Sequence, residues 1–211
     1  MSAKTRSTSA THSAWALLTF VLAAVLLLLT VNHLTNDRIQ HSQNVWLQQN
    51  LMEVLSDEQQ DLSPLITSLE LTGAGIAEAP LPLYRVTTEN TTIASILTVA
   101  APDGYNGTIE LLLGIDRDGS ITGARVTQHR ETPGLGDDID IARSDWIRSF
   151  DGLSLNSIPE AAWSVKRSSS QFDAFTGATI TPQAVVRAVY RALHWFDANE
   201  SALFSLPRER S

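Results

Sequence analysis

The first apolar pattern in the chain is a run from Ala14 to Val31, inside a stretch from Ser7 to Asn36 that holds no Asp, Glu, Lys or Arg. At about 1.5 Å per residue, a helix of this run approaches the roughly 30 Å thickness of bilayer hydrocarbon. Trp15 lies where an interfacial aromatic residue is common. A cleaved signal peptide has a shorter apolar region that ends in small residues, and no such site follows here. The pattern predicts a single membrane-spanning helix, assigned to residues 14–34.

Charges beside this run predict its orientation. Lys4 and Arg6 precede it, whereas Asp37 and Arg38 follow it. Because positive residues are retained on the cytoplasmic side, we expect residues 1–13 in the cytoplasm and the rest of the chain outside.

A second pattern follows the apolar run. Apolar residues recur at helical spacing through a Gln-rich segment, with Thr35 or Asn36 as a possible N-cap, and this predicts a separate amphipathic helix. Its stripe either packs against the following domain, which we favour, or binds a partner. Ser63-Pro64 and the Gly and Pro residues from Gly73 to Pro82 indicate a less regular stretch. We assign residues 35–78 to a helical connector. The stripe is Ile39, Leu47, Leu51, Val54 and Leu55.

From Leu83 the pattern changes to strands rich in Ile, Val, Leu and Thr. The connections Pro102–Gly107 and Asp116–Gly119 carry strong turn signals, so the last three strands should form an antiparallel meander. The predicted strands are Leu83–Thr87, Ile93–Ala100, Thr108–Ile115 and Ile121–Gln128.

The chain closes on a predicted helix that begins near Pro182, with Thr181 as its N-cap. Strands precede this helix rather than alternating with helices, which favours an α+β fold. We assign residues 79–200 to one domain, with an antiparallel sheet and flanking helices, and residues 201–211 to a tail. The apolar face of the helix is Val185, Val186, Val189, Leu193 and Phe196.

Composition narrows the possible functions. The 211 residues include 15 Lys and Arg against 23 Asp and Glu, a net charge of −8, which disfavours nucleic acid as a partner. Cysteine is absent, so disulfides, thiolate metal sites and iron–sulfur ligation are excluded. Any redox chemistry would therefore need an organic cofactor.

Common catalytic patterns are missing too. The five histidines show no metal-ligand spacing, and no Gly-x-Ser-x-Gly nucleophile elbow is present. Gly134-Leu-Gly136 lacks the third glycine of a dinucleotide fingerprint. The sequence thus gives no support for a hydrolase, a metal site or a nicotinamide enzyme.

Two segments have compositions that suit ligand binding. Glu131–Asp137 reads Glu-Thr-Pro-Gly-Leu-Gly-Asp, whose glycines permit close backbone approach to a flat ligand. Asp173–Pro182 combines small residues with several threonines just before the last helix, where free amides favour a phosphate. Physical reasoning alone leaves an alternative to ligand binding open for each segment. The first could be an ordinary Gly/Pro turn, and the second a Thr-rich helix cap.

The second segment contains the pattern Asp-x-x-Thr-Gly-Ala-Thr, at Asp173, Thr176, Gly177, Ala178 and Thr179. In this motif the chain resembles the FMN-binding G subunit of the Rnf (or Rsx) ion-translocating electron-transport complexes, and the related C subunit of the sodium-pumping NADH:quinone reductase. The resemblance covers roughly Ala79 to Trp195, including Asp103–Gly107, the strand Leu111–Asp116 and His129–Asp137. One departure is Ser168–Ser170, where an acidic, Gly-containing turn would be expected.

The resemblance implies a role for each residue of the two segments. Thr179 would carry FMN covalently through its phosphate, with Asp173 and Ala178 completing the acceptor motif. Thr176, Gly177 and Thr181 would surround the phosphate and ribityl chain. The isoalloxazine pocket would be lined by Glu131, Thr132 and Leu135.

The resemblance also implies a cellular setting. The chain would be a redox carrier of the bacterial inner membrane, with its flavin domain in the periplasm. It would have the other components of the complex as partners and need a flavin transferase for maturation. The alternatives are the C subunit of the sodium-pumping reductase, an anchored flavin-binding sensor or assembly protein, and a purely structural anchored domain.

Overall fold

The computed structural model describes residues 6–71, 81–89, 91–165 and 170–205 of the chain. The chain divides after Gln48 into two compact units, Met1–Gln48 and Gln49–Ser211. Several predicted segments lie partly outside the described residues. These are residues 1–5 of the N-terminus, 72–78 of the connector, 206–211 of the tail, and Ser168 and Ser169 of the Ser168–Ser170 segment.

Helix α1 is one element, Arg6–Glu53, of 48 residues. The prediction of a separate helix beginning after Thr35 or Asn36 is therefore wrong. The sequence contains no Gly or Pro between its first residue and Ser63, so no residue interrupts the backbone hydrogen bonds at that point. A capping residue favours a helix start only where the preceding backbone leaves the helix.

The first unit carries exposed apolar side chains along α1. Consecutive residues Leu26–Leu29 are each more than half exposed, and four successive positions cover all sides of a helix with 3.6 residues per turn. Among the side chains that the structure describes, no helix offers an apolar stretch long enough to cross a membrane. The exposed large residues of this part are Trp15, Leu17, Leu18, Phe20, Val21, Leu22, Val25, Leu26, Leu27, Leu28 and Leu29.

The second unit is built on a five-stranded sheet. Its strands are paired in chain order, every pair antiparallel, so the predicted meander is confirmed and extends to two further strands. The α+β class with flanking helices is confirmed as well. The strands are β1 (Leu65–Leu71), β2 (Leu81–Thr88), β3 (Thr91–Ala101), β4 (Ile109–Asp116) and β5 (Ile121–Gln128), with helices α2 (Asp57–Asp61) and α3 (Ile180–Ser205).

Strand β1 corrects the predicted connector. Residues 35–78 are helical to Glu53 and again over Asp57–Asp61, but Leu65–Leu71 pairs with β2 as an edge strand. Leu65 is 60 % exposed, as suits an edge strand. The strand directly follows Ser63-Pro64, which the prediction interpreted as part of an irregular stretch.

One face of the sheet and α3 enclose the main core. Alternate residues of β3 and β4, such as Val99 and Leu111, share a buried cluster with α3. The predicted apolar face of α3 is confirmed, because Val185, Val189 and Phe196 are all buried in it. This core fixes the beginning of α3 beside the loop that follows β5.

The chain just after α1 packs against the opposite face of the sheet. The Thr122 hydroxyl donates a 2.5 Å hydrogen bond to the Val54 carbonyl, and Arg125 forms a 3.2 Å ion pair with Glu53. A Cβ at Gly114 would lie 2.4 Å from that same carbonyl oxygen. Leu51, Val54 and Leu55 are buried, so the favoured packing role of the predicted stripe is confirmed for them. The side chain of Ile39 lies outside the described part.

Candidate functional site

A cavity of about 240 Å³ opens where three connecting segments meet the beginning of α3. It brings the two segments singled out in the sequence to one place, although 35 residues of chain, 138–172, separate them. Its lining is Tyr105, Glu131, Thr132, Leu135, Gly136, Gly177, Ala178, Thr179, Ile180 and Thr181.

The first wall is a tight turn after β5. The backbone N–H groups of Leu135 and Gly136 donate to the Thr132 carbonyl at 3.1 and 3.0 Å. Gly134 has φ +75°, a conformation that a type II turn requires and that only glycine adopts without strain. The Gly134 N–H donates at 2.6 Å to the carboxylate of buried Asp137, which fixes the turn from its far end. Leu135 is left 47 % exposed at the tip.

The second wall is the turn Phe175–Ala178, closed by a 3.2 Å hydrogen bond from the Ala178 N–H to the Phe175 carbonyl. Gly177, with φ +82°, supplies the left-handed position that this turn needs. Buried Phe175 anchors the turn in the core, where it packs edge-on against Trp146 at 5.1 Å between ring centroids. The turn therefore presents Gly177 and Ala178 to the cavity.

Thr179 lies directly between this turn and α3, half-buried in the cavity wall. Helix α3 begins at Ile180, so the prediction that Thr181 is the N-cap and Pro182 the first helical residue is wrong. The turn hydrogen bond at Ala178 lets the chain enter the helix sooner. The first N–H groups of a helix have no intrahelical acceptor and carry partial positive charge, and Thr179 stands beside them.

The third wall comes from the β3–β4 connection. Its Asn106 N–H donates to Glu131 Oε1 at 3.0 Å, and the Asn106 amide side chain donates to Thr132 Oγ1 at 3.0 Å. Tyr105, directly before Asn106, lines the cavity with two thirds of its surface exposed.

Glu131 lies at the centre of the three walls and is only 5 % exposed. Its second carboxylate oxygen accepts a short hydrogen bond from the hydroxyl of Thr181, which is 1 % exposed. Both oxygens are thus engaged by protein donors. A buried carboxylate needs such partners, because burying an unpaired charge is costly.

The structure brings together seven residues assigned to the site from the sequence: Glu131, Thr132, Leu135, Gly177, Ala178, Thr179 and Thr181. Asp173 and Thr176 do not line the cavity. Both are exposed, and the carbonyl of Asp173 accepts a 2.9 Å hydrogen bond from the Trp146 indole.

Sequence reasoning missed Tyr105, Gly136 and Ile180 as lining residues. The segment Asp103–Gly107 carried a turn signal, but a turn signal does not tell which distant segment a turn contacts. Gly136 lies inside the segment Glu131–Asp137, but it was not among the residues predicted to line the site. Its role depends on contacts with Glu131 and Thr181 that only the fold creates.

The cavity offers apolar walls, close backbone approach and a hydroxyl beside a helix N-terminus. Tyr105, Leu135 and Ile180 supply the apolar surface, and Glu131 is the one ionisable carboxylate in the lining. No group of His, Asp or Glu able to hold a metal ion occurs in the described ranges. These features fit a flat aromatic ligand that bears a phosphate.

A protein-family comparison agrees with this chemistry. The family described as FMN-binding domain matches residues 104–194, which include all of the cavity lining. The second unit therefore contains an FMN-binding domain.

Whole-chain relatives identify the family more closely. The G subunit of the ion-translocating oxidoreductase complex of Pseudomonas aeruginosa strain UCBPP-PA14 is 42 % identical over 188 residues, 88 % of either chain. The corresponding protein of Shewanella loihica is 39 % identical over 89 % of this chain and 90 % of its own length. That of Aliivibrio fischeri is 37 % identical over 95 % and 96 %. The chain belongs to the family of G subunits of ion-translocating oxidoreductase complexes.

Proposed function

We propose that this protein is the flavin electron carrier of an Rnf-type ion-translocating oxidoreductase complex, with FMN joined through its phosphate to the hydroxyl oxygen of Thr179. The observation that carries the proposal is the position of Thr179, in the cavity wall directly before the first turn of α3. FMN can accept and release electrons singly or in pairs, and the protein then supplies position and electrostatics. A carrier of this kind needs no catalytic acid or base, and it is not a complete enzyme.

The size of the cavity is compatible with covalent attachment. Pockets that hold small ligands by contact alone usually measure about 300–1,000 Å³, whereas this cavity encloses about 240 Å³. Part of a bound FMN would lie outside it. A covalent bond to Thr179 would retain such a ligand, while Leu135 and Tyr105 leave its ring accessible to a redox partner.

Attachment requires a transferase and an activated flavin donor. In the proposed step the Thr179 oxygen bonds to the phosphorus of the FMN group, and the hydroxyl proton passes to a base of the transferase. The bond from phosphorus to the rest of a flavin dinucleotide breaks, and the released mononucleotide keeps the electron pair. Because Thr179 follows an exposed turn that includes Thr176, a transferase could reach it in the folded domain.

We also propose that residues 14–34 anchor the protein in the bacterial inner membrane, with residues 1–13 in the cytoplasm and the FMN domain, residues 79–200, in the periplasm. A helix that is apolar on all sides is typical of a membrane span or a protein core. The polar groups of Thr19 and Thr30 donate to the carbonyls of Ala16 and Leu26, so they need no water. The names of the relatives support membrane partners, since those proteins belong to ion-translocating complexes.

The deciding experiment is production of the full chain with a flavin transferase, followed by intact mass and in-gel fluorescence. We expect wild type and Thr179→Ser to gain the mass of one FMN group, because both keep a hydroxyl. Thr179→Val should gain none and should still fold, since valine has nearly the same shape. Fluorescence of the Thr179→Val band on a denaturing gel equal to that of wild type would refute the attachment site.

Electron flow separates the carrier from an anchored flavin-binding sensor. In a reconstituted complex, Thr179→Val should abolish electron transfer from the reductant to the final acceptor. Normal transfer by a complex containing this variant would contradict the carrier role and leave a binding module.

A further inference from the structure

We infer that Glu131 is a positioning residue, which holds the acceptor Thr179 in place by clamping the beginning of α3 to the β3–β4 connection. This inference rests on the proposed covalent attachment at Thr179. It changes the expectation from the sequence, in which Glu131 contacts the flavin ring directly.

Hydrogen bonding gives the first argument. Oε1 of Glu131 accepts from the backbone N–H of Asn106 at 3.0 Å, and Oε2 accepts from the Thr181 hydroxyl. Asn106 belongs to the third wall of the cavity, and Thr181 belongs to the first turn of α3. One carboxylate therefore joins both elements to the segment that follows β5.

Burial makes these hydrogen bonds of Glu131 hard to replace. Glu131 and Thr181 are 5 % and 1 % exposed, so water does not substitute readily for either partner. Loss of one partner would leave the other without a hydrogen bond in a buried place, which is far less favourable than losing a bond at the surface. The carboxylate also lies beside the N-terminal end of α3, where the helix dipole favours negative charge.

Two glycines leave the space that the clamp occupies. A Cβ at Gly136 would lie 3.0 Å from both Glu131 Oε2 and Thr181 Oγ1. A Cβ at Gly104 would lie 3.0 Å from Glu131 Oε1 and 2.2 Å from the Gly107 carbonyl. A side chain at Gly136 would displace the carboxylate or the Thr181 hydroxyl, and one at Gly104 would displace the backbone at Gly107 as well as the carboxylate.

The contact affects Thr179 because Thr179 is close to Thr181 along the chain. Thr181 is separated from Thr179 by Ile180 alone and lies in the first turn of α3. The Gln183 N–H donates to the Thr179 carbonyl at 3.3 Å, which ties Thr179 to that turn. On the other side, the turn Phe175–Ala178 is fixed by its own hydrogen bond. The Glu131–Thr181 contact thus lies two residues from the acceptor along the chain, and it sets the direction in which the Thr179 hydroxyl is presented.

The test compares initial rates of flavin attachment to purified full-length chain in detergent, with limiting transferase and a flavin dinucleotide, followed by intact mass. We expect Glu131→Leu, which removes both acceptor oxygens, and Thr181→Val each to slow attachment at least fivefold. The double variant should be no slower than the slower single variant, because both remove the same contact. Thr181→Ser keeps the hydroxyl and should restore a rate within twofold of wild type.

Thr122→Val is the matched control, since it also removes a threonine hydroxyl from a hydrogen bond, but on the opposite face of the sheet. It should leave the attachment rate unchanged. Rates for Glu131→Leu or Thr181→Val equal to wild type would overturn the inference, as would fully additive effects in the double variant. Failure of wild type itself to take flavin would refute the proposed function instead.

In that case a measurement that does not depend on flavin tests whether Glu131 holds the two segments together. In the chain before flavin attachment, amide hydrogen exchange of the segments 104–107 and 179–181 should be faster in Thr181→Val than in wild type or Thr122→Val. Unchanged exchange in both segments would show that the contact does not hold them together.

Discussion

The indole N–H of Trp146 donates a 2.9 Å hydrogen bond to the backbone carbonyl of Asp173. Trp146 lies in the 3₁₀ helix Asp145–Phe150, whereas Asp173 begins the motif that carries the proposed flavin acceptor. The same indole ring packs edge-on against Phe150 and Phe175, with ring centroids 5.5 and 5.1 Å apart. A side chain distant in sequence thus fixes the backbone of the motif.

Replacing Trp146 by Phe should loosen that backbone. The variant loses the hydrogen bond to Asp173 and part of the ring packing, so the free energy of unfolding should fall by about 1–2 kcal/mol. Amide exchange at Ala178, the donor of the adjacent turn, should become faster. Urea unfolding and hydrogen exchange measure the two effects.

Trp163→Phe is the control for this substitution. The Trp163 ring packs against Phe172 in the same aromatic cluster, but its buried indole N–H has no hydrogen-bond partner among the described residues. Its replacement should leave exchange at Ala178 near the wild-type rate. Equal acceleration in both variants would show that packing alone, without the hydrogen bond to Asp173, orders the motif.

Gly177→Ala should lower both stability and flavin attachment. At φ +82° a side chain costs about 1–2 kcal/mol, and here the strain falls on the turn next to Thr179. Gly119→Ala is the matched variant, because Gly119 has φ +79° and no neighbour within 4 Å of its would-be Cβ. Both variants should lose similar stability by thermal unfolding. Flavin attachment that falls equally in the two would contradict a local role for Gly177.

Gly114→Ala should be more damaging than Gly123→Ala. A Cβ at Gly114 would meet the Val54 carbonyl oxygen at 2.4 Å and the Thr122 hydroxyl at 2.3 Å, whereas at Gly123 the nearest atoms are 3.0 Å away. Overpacking of this kind costs about 1–3 kcal/mol, and the shorter contacts should place Gly114 at the upper end. Chemical denaturation of the two variants gives the order. A smaller loss for Gly114→Ala would mean that the chain after α1 moves freely over the sheet.

Charges within the apolar run of α1 should release the protein from membranes. An Asp at the centre of a spanning helix costs about 2.5–3.5 kcal/mol, so Leu22→Asp combined with Leu26→Asp should shift the protein out of the membrane fraction. The matched pair is Leu62→Asp with Leu65→Asp, two leucines that are 53 % and 60 % exposed outside the run. That pair should remain in the membrane fraction. Equal partitioning of both double variants after fractionation would contradict the anchor.

Patterns local to the chain were sufficient for much of the fold. Strand β5 has the predicted bounds, Ile121–Gln128, and β2, β3 and β4 differ from prediction by a few residues at their ends. The buried face of α3 could also be predicted, because a repeat of 3.6 residues reports a helix face directly. The motif at Thr179 could be recognised because its residue types are adjacent in the chain.

Features that depend on a neighbour could not be predicted. Strand β1 is defined by its hydrogen bonds to β2, and Ser63-Pro64 directly before it indicated an irregular stretch. The continuity of α1 is similar, since a cap at Thr35 or Asn36 acts only if the helix stops there. Both errors arose where local preference was weak.

The sequence by itself therefore determined the segments that form the candidate site and the residue types available to bind a flavin. Only the tertiary structure decided that Glu131 contacts Asn106 and Thr181, that Tyr105 and Ile180 complete the cavity, and that Asp173 turns its carbonyl to a tryptophan. The physical reason is that composition and period report which side chains are to be buried, whereas hydrogen-bond partners of buried groups are chosen across the fold by distance and direction.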